Sequence, residues 1–210
     1  MQSFTTLTGI VAPIDRINVD TDQIIPAQYL KRIERSGYGP YLFDSWRYQA
    51  DRTPNPDFIL NNPAFKNASM LVAGRNFGSG SSREHAVWAL SDYGFRVIVA
   101  PSLAEIFHKN CFENGLLPVL LSQTEVDHVM KQSKEGSNYE LTVDLETCLI
   151  SDHKGFEVPF IVHHDLPTHE FSRWCLLNGL DQIDLTLEHE ADIGTFEKQR
   201  GKHGGVLDST

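Results

Sequence analysis

Residues 70–100 read MLVAGRNFGSGSSREHAVWALSDYGFRVIVA and carry the strongest fold signal of the chain. The short apolar run Met70–Ala73 predicts a buried strand, and residues 96–100 predict a second one. The segment between them has apolar residues at helical spacing and ends at Gly94, which predicts an amphipathic helix. Strand, loop, helix and strand in this order are typical of a βαβ unit with parallel strands.

The alternation of strands and helices continues after residue 100. Residues 116–121 form a third apolar run, which predicts another buried strand. Two serines, each followed three residues later by a glutamate, predict capping boxes at the starts of two helices: Ser102 with Glu105, and Ser122 with Glu125. We expect the first of these helices to end at Gly115 and to bury one face, made of Leu103, Ile106, Phe107 and Cys111.

A different pattern follows this βαβ core. Beyond Gly136 the apolar period changes to two, in residues 139–144, 148–150 and 156–160. This period predicts a small β-meander. A final helix is predicted from about Pro167 to Gly179.

The N-terminal part combines strand signals with a long irregular segment. Residues 7–14 predict a strand, and residues 23–26 predict a second strand or a loop. Residues 35–63 are rich in Gly, Pro and Asn, which indicates an ordered insertion or a flexible lid. The aromatic residues of this insertion fit either a satellite of the core or a surface that docks a partner. They are Tyr41, Phe43, Trp46 and Tyr48.

Composition narrows the class of protein. The 210 residues are 40% hydrophobic, enough for a full core without cross-links. The formal net charge of -10, without a basic run, argues against a nucleic-acid partner. The first eight residues lack the pattern of a signal peptide, and no apolar run is long enough to span a bilayer. We therefore expect a soluble, cytoplasmic protein without a membrane partner.

The residues that could hold a metal do not have the spacing of known sites. The three cysteines, Cys111, Cys148 and Cys175, are too few for a disulfide scaffold and have no C-x-x-C spacing. The histidines at 163, 164 and 169, near Asp165, also fit no standard pattern. We expect no metal or cluster to be bound by this chain.

The Gly/Ser-rich loop before the first predicted helix is the candidate for chemistry. Small residues there let a ligand approach the backbone closely. If Ser82 is the N-cap, the free amides and the positive end of the helix dipole stabilise an anion, or a serine that loses its proton. The alternative is that Gly78 and Gly80 only form a tight turn.

Two known glycine motifs do not fit this loop. A Walker loop that starts at Gly74 requires glycine at Ser79 and lysine at Gly80. A dinucleotide fingerprint that starts at Gly78 requires glycine or alanine at Arg83. Neither nucleotide site is therefore predicted.

The run Gly-Ser-Gly-Ser-Ser-Arg-Glu-His at residues 78–85 resembles the signature of the swivelling domain of the aconitase superfamily. The similarity covers most of the chain, through residues 18–26, 29–32, 101–107, 110–118 and 174–181. Over this length the sequence resembles the bacterial small subunits of 3-isopropylmalate dehydratases. The resemblance implies one swivelling β/β/α domain over residues 1–190, with a mostly parallel α/β core sheet, βαβ units and a small β-meander. Residues 191–210 are expected to form a flexible tail.

The resemblance also implies roles for individual residues. Ser81 matches the serine that removes and returns a proton beside a carboxylate. Ser82 and Arg83 match residues that bind substrate carboxylates, and an arginine can grip a carboxylate bidentately. Asp22 matches an aspartate that supports the active site. Leu30 lies in the loop that reads the substrate side group, where an apolar residue favours an isopropyl group.

Other implications of the resemblance concern His85, the cofactor and the partner. His85 is expected to orient groups of the loop by hydrogen bonding. The family interconverts 2-isopropylmalate and 3-isopropylmalate through 2-isopropylmaleate in leucine biosynthesis, as a hydro-lyase. Departure of the hydroxyl group needs a Lewis acid, an open iron of a [4Fe–4S] cluster bound by three cysteines of a large subunit. A heterodimer or larger heteromer with that subunit is therefore expected.

Two alternatives remain open from the sequence. One is a dehydratase of the same architecture that acts on another hydroxy acid, such as dimethylmalate, methylmalate or homocitrate. The other is a non-catalytic protein that uses the loop to bind an anionic metabolite or RNA, although the acidic charge argues against RNA.

Overall fold

The computed structural model describes residues 1–31, 34–136, 138–187 and 189–203. In these ranges a single seven-stranded sheet has the order β4-β3-β2-β1-β5-β6-β7. The strands are β1 (Thr6–Ile14), β2 (Met70–Ala73), β3 (Val97–Ala100), β4 (Leu117–Leu120), β5 (Glu140–Asp144), β6 (Leu149–Ser151) and β7 (Glu157–Pro159). The pairs β1–β2, β2–β3 and β3–β4 are parallel, and the pairs β1–β5, β5–β6 and β6–β7 are antiparallel. The predicted parallel core with an added meander is confirmed.

The first strand joins the two halves of the sheet. The second half of β1 pairs with β2 in parallel, with Val11 opposite Met70. The first half pairs with β5 in antiparallel orientation, with Thr6 opposite Asp144. One strand of nine residues therefore ends the parallel core and begins the meander.

Helices cover the sheet and connect its strands. They are α1 (Thr21–Ile24), α2 (Asp44–Arg47), α3 (Glu84–Tyr93), α4 (Glu105–Glu113), α5 (Gln123–Glu135), α6 (Leu166–Asn178), α7 (Gln182–Leu187) and α8 (Glu190–His203). Four 3-10 turns lie at Ala27–Lys31, Gly39–Tyr41, Ile59–Asn61 and Pro63–Phe65. The helices α3 and α4 are the predicted crossovers of the two βαβ units.

The central strands bury side chains on both faces because helices lie on both sides of the sheet. Leu71 and Ile98 belong to a core that contains the apolar residues of α3. Met70 and Val72, which alternate with Leu71, belong to a second core that contains those of α5. The continuous apolar runs of the parallel strands reflect this burial on two faces.

Two of the three expected serine caps are absent. The N-cap of α3 is Arg83, so the prediction that Ser82 caps this helix is wrong. The N-cap of α4 is Ala104, and the Ser102 hydroxyl instead accepts a hydrogen bond of 3.0 Å from the amide of Asn76. The predicted capping box of Ser122 at α5 is confirmed, because its hydroxyl accepts from the amide of Glu125.

Two other local predictions need correction. Of the two alternatives for residues 23–26, the strand is wrong: Gln23 and Ile24 belong to the helical turn α1, capped by Asp20 in a capping box with Gln23, and Ile25 and Pro26 are irregular. Ile106 does not lie on the buried face of α4, since 53% of the residue is exposed. Its neighbour Phe107 is buried, as predicted.

The segment 35–63 packs on the face of the sheet that α3 covers. Phe43 is fully buried and stacks on Trp46, with 5.4 Å between the ring centroids. Tyr38 is also fully buried and belongs to the same core. The aromatic residues of this segment were predicted either to pack as a satellite of the core or to dock a partner. Phe43 and Trp46 pack against the core.

The chain after the meander is more helical than the sequence indicates. The predicted helix before Gly179 is α6, and Gly179 has the left-handed conformation expected after a helix. Part of the predicted tail forms α8, whereas residues 204–210 lie outside the described part of the chain. The domain boundary at residue 190 and the flexibility of the tail stay predictions. None of the described helices is long and apolar enough to cross a membrane.

Candidate active site

The Gly/Ser-rich loop, residues 74–83, connects the carboxyl end of β2 to α3. Gly78 and Gly80 have φ angles of 78° and 90°, in the left-handed region that favours glycine. A Cβ atom on Gly78 would lie 2.1 Å from Cγ of Phe107. At Gly78, therefore, both the backbone conformation and the contact with α4 require the absence of a side chain.

Hydrogen bonds join this loop to the segment that precedes α1. The amides of Gly78 and Ser79 donate to the carbonyl of Val19, at 2.7 and 3.1 Å. The amide of Thr21 donates to the carbonyl of Ser79, at 2.8 Å. On the outer side, Nδ2 of Asn76 donates to Oδ1 of Asn18, at 2.9 Å. These contacts are long-range in sequence and hold the loop against α1.

Ser81 is exposed at the edge of a cleft of about 190 Å³, here called the Ser81 cleft. Its lining comes from the loop, α1 and the start of α4: Thr21, Gly78, Gly80, Ser81, Ser82, Arg83, Ala104, Glu105, Ile106 and Phe107. The hydroxyl of Thr21 donates a hydrogen bond to the carbonyl of Ser81. The backbone at Ser81 is thus fixed while its side chain faces solvent.

Arg83 places a positive charge in the same cleft. Its guanidinium forms an ion pair with Asp22 of α1. Only 15% of the Arg83 side chain is exposed, against 51% for Asp22. A guanidinium has five N–H donors, so the bond to Asp22 orients the group and leaves donors for an anionic ligand. The structure thereby brings together Ser81, Ser82, Arg83 and Asp22, as the sequence indicated.

Leu30 and His85 stand apart from this group. Leu30 is half-buried on the 3-10 turn after α1 and packs against the core, but it is not among the described residues that line the Ser81 cleft. The ring of His85 packs against Tyr38 and Trp88, with centroid distances of 5.4 and 4.6 Å. Burial lowers the pKa of His85, which favours its neutral form. Its contacts in the structure are aromatic, whereas the sequence suggested hydrogen bonding to the loop.

Several residues of the site were not foreseen as parts of it. Thr21 holds the Ser81 backbone, and Asn18 clamps the loop from outside. Both residues lie in the run 18–26, where the family resemblance assigned a role only to Asp22. Glu105 and Ile106 line the cleft, although the sequence assigned them to a helix cap and to the buried face of α4.

Comparison with known proteins relates this chain to a family. The model of the Aconitase C-terminal domain matches residues 1–124, and the LeuD_N model matches residues 127–163. The 3-isopropylmalate dehydratase small subunit of Brevibacillus brevis is 52% identical over 95% of this chain and 100% of the relative. That of Rhodopirellula baltica is 54% identical over 96% of this chain and 100% of the relative.

The chain belongs to the family of 3-isopropylmalate dehydratase small subunits. Among solved structures, 3-isopropylmalate dehydratase from Methanocaldococcus jannaschii superposes with a TM-score of 0.64 and 22% identity, over 90% of this chain and 98% of that one. At this identity the likeness concerns the fold alone. It agrees with the expected aconitase-type swivelling domain, which this small-subunit family member therefore has.

The three cysteines of this small-subunit family member are free thiols, and Cys111 and Cys175 are buried while Cys148 is half-buried. Cys111 is fully buried in α4, and burial raises the pKa of its thiol well above the ordinary value. Burial also raises the pKa of Cys148. Within the described ranges, no group of three or more His, Cys, Asp and Glu side chains could hold a metal ion.

Proposed function

We propose that the Ser81 cleft is the half-site that this chain contributes to a 3-isopropylmalate dehydratase. By its family, the chain is the small subunit of a hydro-lyase of leucine biosynthesis that acts with a large subunit. The proposed reaction interconverts 2-isopropylmalate and 3-isopropylmalate by loss and return of water through 2-isopropylmaleate. The observation that carries the proposal is the placement of Ser81 and the paired Arg83 in one cleft.

Ser81 is the proposed base. Its oxygen would take the proton from the carbon beside a substrate carboxylate during dehydration. It would return a proton to the intermediate during rehydration. A serine alkoxide is unfavourable in water, but nearby amide dipoles and a cation lower the free energy of forming it. The restrained backbone at Ser81 supports this role, because it limits the positions that the hydroxyl can take.

Arg83 and Ser82 are the proposed carboxylate binders. Removal of a proton beside a carboxylate concentrates negative charge on that group, and the guanidinium of Arg83, whose side chain is mostly buried, is suited to hold it. Asp22 would keep the guanidinium in place as the substrate arrives. Ser82 is exposed and, since it does not cap α3, its hydroxyl is not committed to the helix.

The large subunit is the proposed carrier of the [4Fe–4S] cluster, whose open iron would act as the Lewis acid for departure of the hydroxyl group. The burial of Cys111 and Cys175 in this chain supports that assignment. We propose a heterodimer or a larger heteromer with the large subunit as the assembly that completes the cleft.

The proposed preference for an isopropyl group rests on Leu30. The residue is apolar and half-buried on the turn that follows α1, so a charged substituent at this place would lose solvation without gaining a partner. An apolar pocket discriminates such groups by about 1–3 kcal/mol. Leu30→Arg should therefore lower kcat/KM for 3-isopropylmalate by about 10-fold or more.

The test combines this chain with a reconstituted cognate large subunit under anaerobic conditions and follows the ultraviolet absorbance of the unsaturated acid. Ser81→Ala should reduce turnover by about 100-fold or more. Ser79→Ala, a serine of the same loop, is the matched control and should stay within about threefold of wild type. Turnover by either chain alone, or full activity of Ser81→Ala, would contradict the proposal. Saturable binding of a metabolite without turnover would instead favour a binding protein.

A further inference from the structure

An apolar groove lies beside the Ser81 cleft, between α4 and α6. It has a volume of about 350 Å³, and its apolar lining includes Ile106, Phe112, Phe171, Leu180 and Leu185. We call it the α4–α6 groove. Phe171 is 52% exposed on its rim, and its ring lies 6.3 Å from that of Trp174, which is 43% exposed. Exposed aromatic residues around an apolar groove mark a surface that another molecule covers.

The groove is continuous with the proposed half-site. Glu105 and Ile106, at the start of α4, line both the Ser81 cleft and the groove. A partner segment that fills the groove would therefore also border the Ser81 cleft. Ile106 was predicted to be buried but is 53% exposed. Contact with a partner segment in the groove would bury this side chain.

The charges around the groove indicate the chemistry of the partner. Glu105, Glu113 and Asp181 supply three carboxylates to the lining. Lys109 pairs with Glu113 at 3.8 Å, and the N-terminal ammonium of Met1, which also lines the groove, pairs with Asp181 at 3.7 Å. The chain as a whole carries a net charge of -10. A covering segment with apolar side chains at its centre and Lys or Arg at its edge would complement this surface.

We propose that the α4–α6 groove docks an apolar, basic-edged segment of the cluster-bearing large subunit; this rests on the proposed function. A second copy of this chain is a poorer occupant for two reasons. It would bring the same acidic edge to an acidic surface. It would also cover Glu105 and Ile106, which line one side of the Ser81 cleft that the large subunit is proposed to complete.

The test titrates the large subunit with the Phe171→Asp variant of this chain. Sedimentation measures formation of the complex, and an activity assay measures its turnover. Phe171 is chosen because it lines the groove but not the Ser81 cleft. A charge at this position should raise the Kd for the large subunit by about 30-fold or more. Turnover at saturating large subunit should stay within about threefold of wild type, since the chemistry of the cleft is unchanged.

Phe196→Asp is the matched control, because Phe196 of α8 is 62% exposed and does not line the groove. It should leave the Kd within about threefold of wild type. Circular dichroism and thermal unfolding of both variants report whether the fold is kept. Because Phe171 is already largely exposed, neither substitution should lower Tm by more than a few degrees.

The outcomes separate this inference from the proposed function. Wild-type affinity of Phe171→Asp, in a pair that turns over and depends on Ser81, would overturn the docking surface and leave the active site standing. A dimer of the small chain alone that Phe171→Asp converts to a monomer would assign the groove to a second copy instead. Failure of the wild-type chains to form any complex would overturn both.

Discussion

The hydroxyl of Thr21 donates a hydrogen bond of 2.8 Å to the main-chain carbonyl of Ser81, a residue 60 positions further along the chain. Thr21 is 1% exposed, and its amide also binds the loop through the carbonyl of Ser79. One buried residue of α1 thus holds the backbone on both sides of Gly80. The position of the proposed base depends on a segment that contributes no reactive group of its own there.

Replacing this hydroxyl should impair catalysis more than folding. Thr21→Val keeps the shape of the side chain but removes the donor, so the Ser81 backbone loses a restraint. We expect kcat to fall by about 10- to 100-fold with little change in KM, because misplacement of a reacting group by about 1 Å has such effects. Kinetics of the complex with the large subunit measure both constants.

Thr21→Ser is the matched control, since it keeps the hydroxyl and removes only a methyl group. It should recover most of the lost kcat, with some loss of stability from the missing methyl. Equal kcat values for Thr21→Val and wild type would show that the hydrogen bond has no part in positioning Ser81.

A second prediction concerns the contact of the loop with α4. Gly78 and Gly155 both have φ angles in the left-handed region, 78° and 98°. A Cβ on Gly155 meets no heavy atom within 4 Å, whereas one on Gly78 meets the ring of Phe107. Gly155→Ala should lower the free energy of unfolding by about 1 kcal/mol through backbone strain. Gly78→Ala should lower it by about 1–3 kcal/mol more, through overpacking.

Urea unfolding of the two alanine variants gives both values. Gly78→Ala should also reduce turnover, because Phe107 and the loop cannot both keep their positions. Equal loss of stability in the two variants would mean that the ring of Phe107 moves aside without penalty.

The regular core could be predicted from the sequence because its signals are local. The strands β2, β3 and β4 are apolar runs buried on two faces. The helices α3 and α4 between them bury residues at helical spacing. The capping box at Ser122 also depends only on a residue three positions away. Patterns of this kind survive in the folded protein when no distant segment competes for the same groups.

The predictions that were wrong involve distant competitors. The hydroxyl of Ser102 binds the amide of Asn76, and the carbonyl of Phe77 binds the amide of Ala104, so α4 begins only at Glu105. The hydrogen bonds with Val19 and Thr21 hold the loop out of helical conformation as far as Ser81, and α3 starts only after Ser82. For the same reason, the role of Thr21 could not be read from its neighbours in sequence.

A third prediction compares Ser122, which caps α5, with Ser82, which does not cap α3. Ser122→Ala should lower the free energy of unfolding by about 1 kcal/mol, because the first turn of α5 loses its acceptor. Ser82→Ala should change it by less than about 0.5 kcal/mol, because Ser82 is exposed and caps nothing. Chemical unfolding of both variants decides this. A similar decrease in the free energy of unfolding for both variants would mean that Ser82 does cap α3.

The last prediction concerns the pH dependence of stability and rests on His108 in α4. The residue is 7% exposed, and its Nε2 atom has no hydrogen-bond partner among the described residues. The pKa of His108 is lowered from 6.5 to about 4, mainly by burial and to a lesser extent by the nearby His163 and His164, against a hydrogen bond with the backbone of Val162 that raises it. The folded protein therefore holds this imidazole neutral at pH values where the unfolded chain protonates it.

The sign of the effect follows from this difference. Above pH 6.5 both states are neutral at His108, so the residue adds no pH dependence. As the pH falls from 6.5 to about 4, the unfolded state takes up the proton first and the free energy of unfolding decreases. Between pH 7 and pH 5 the expected contribution is a loss of about 2 kcal/mol in the free energy of unfolding.

The variant His108→Gln tests this effect. It removes the titrating group, has a side chain of similar size and keeps an amide for the hydrogen bond with the Val162 backbone. Wild type should lose about 2 kcal/mol more than this variant over that pH range in urea unfolding. Equal losses in both proteins would mean that His108 titrates alike in the folded and the unfolded chain, and that its burial does not hold it neutral.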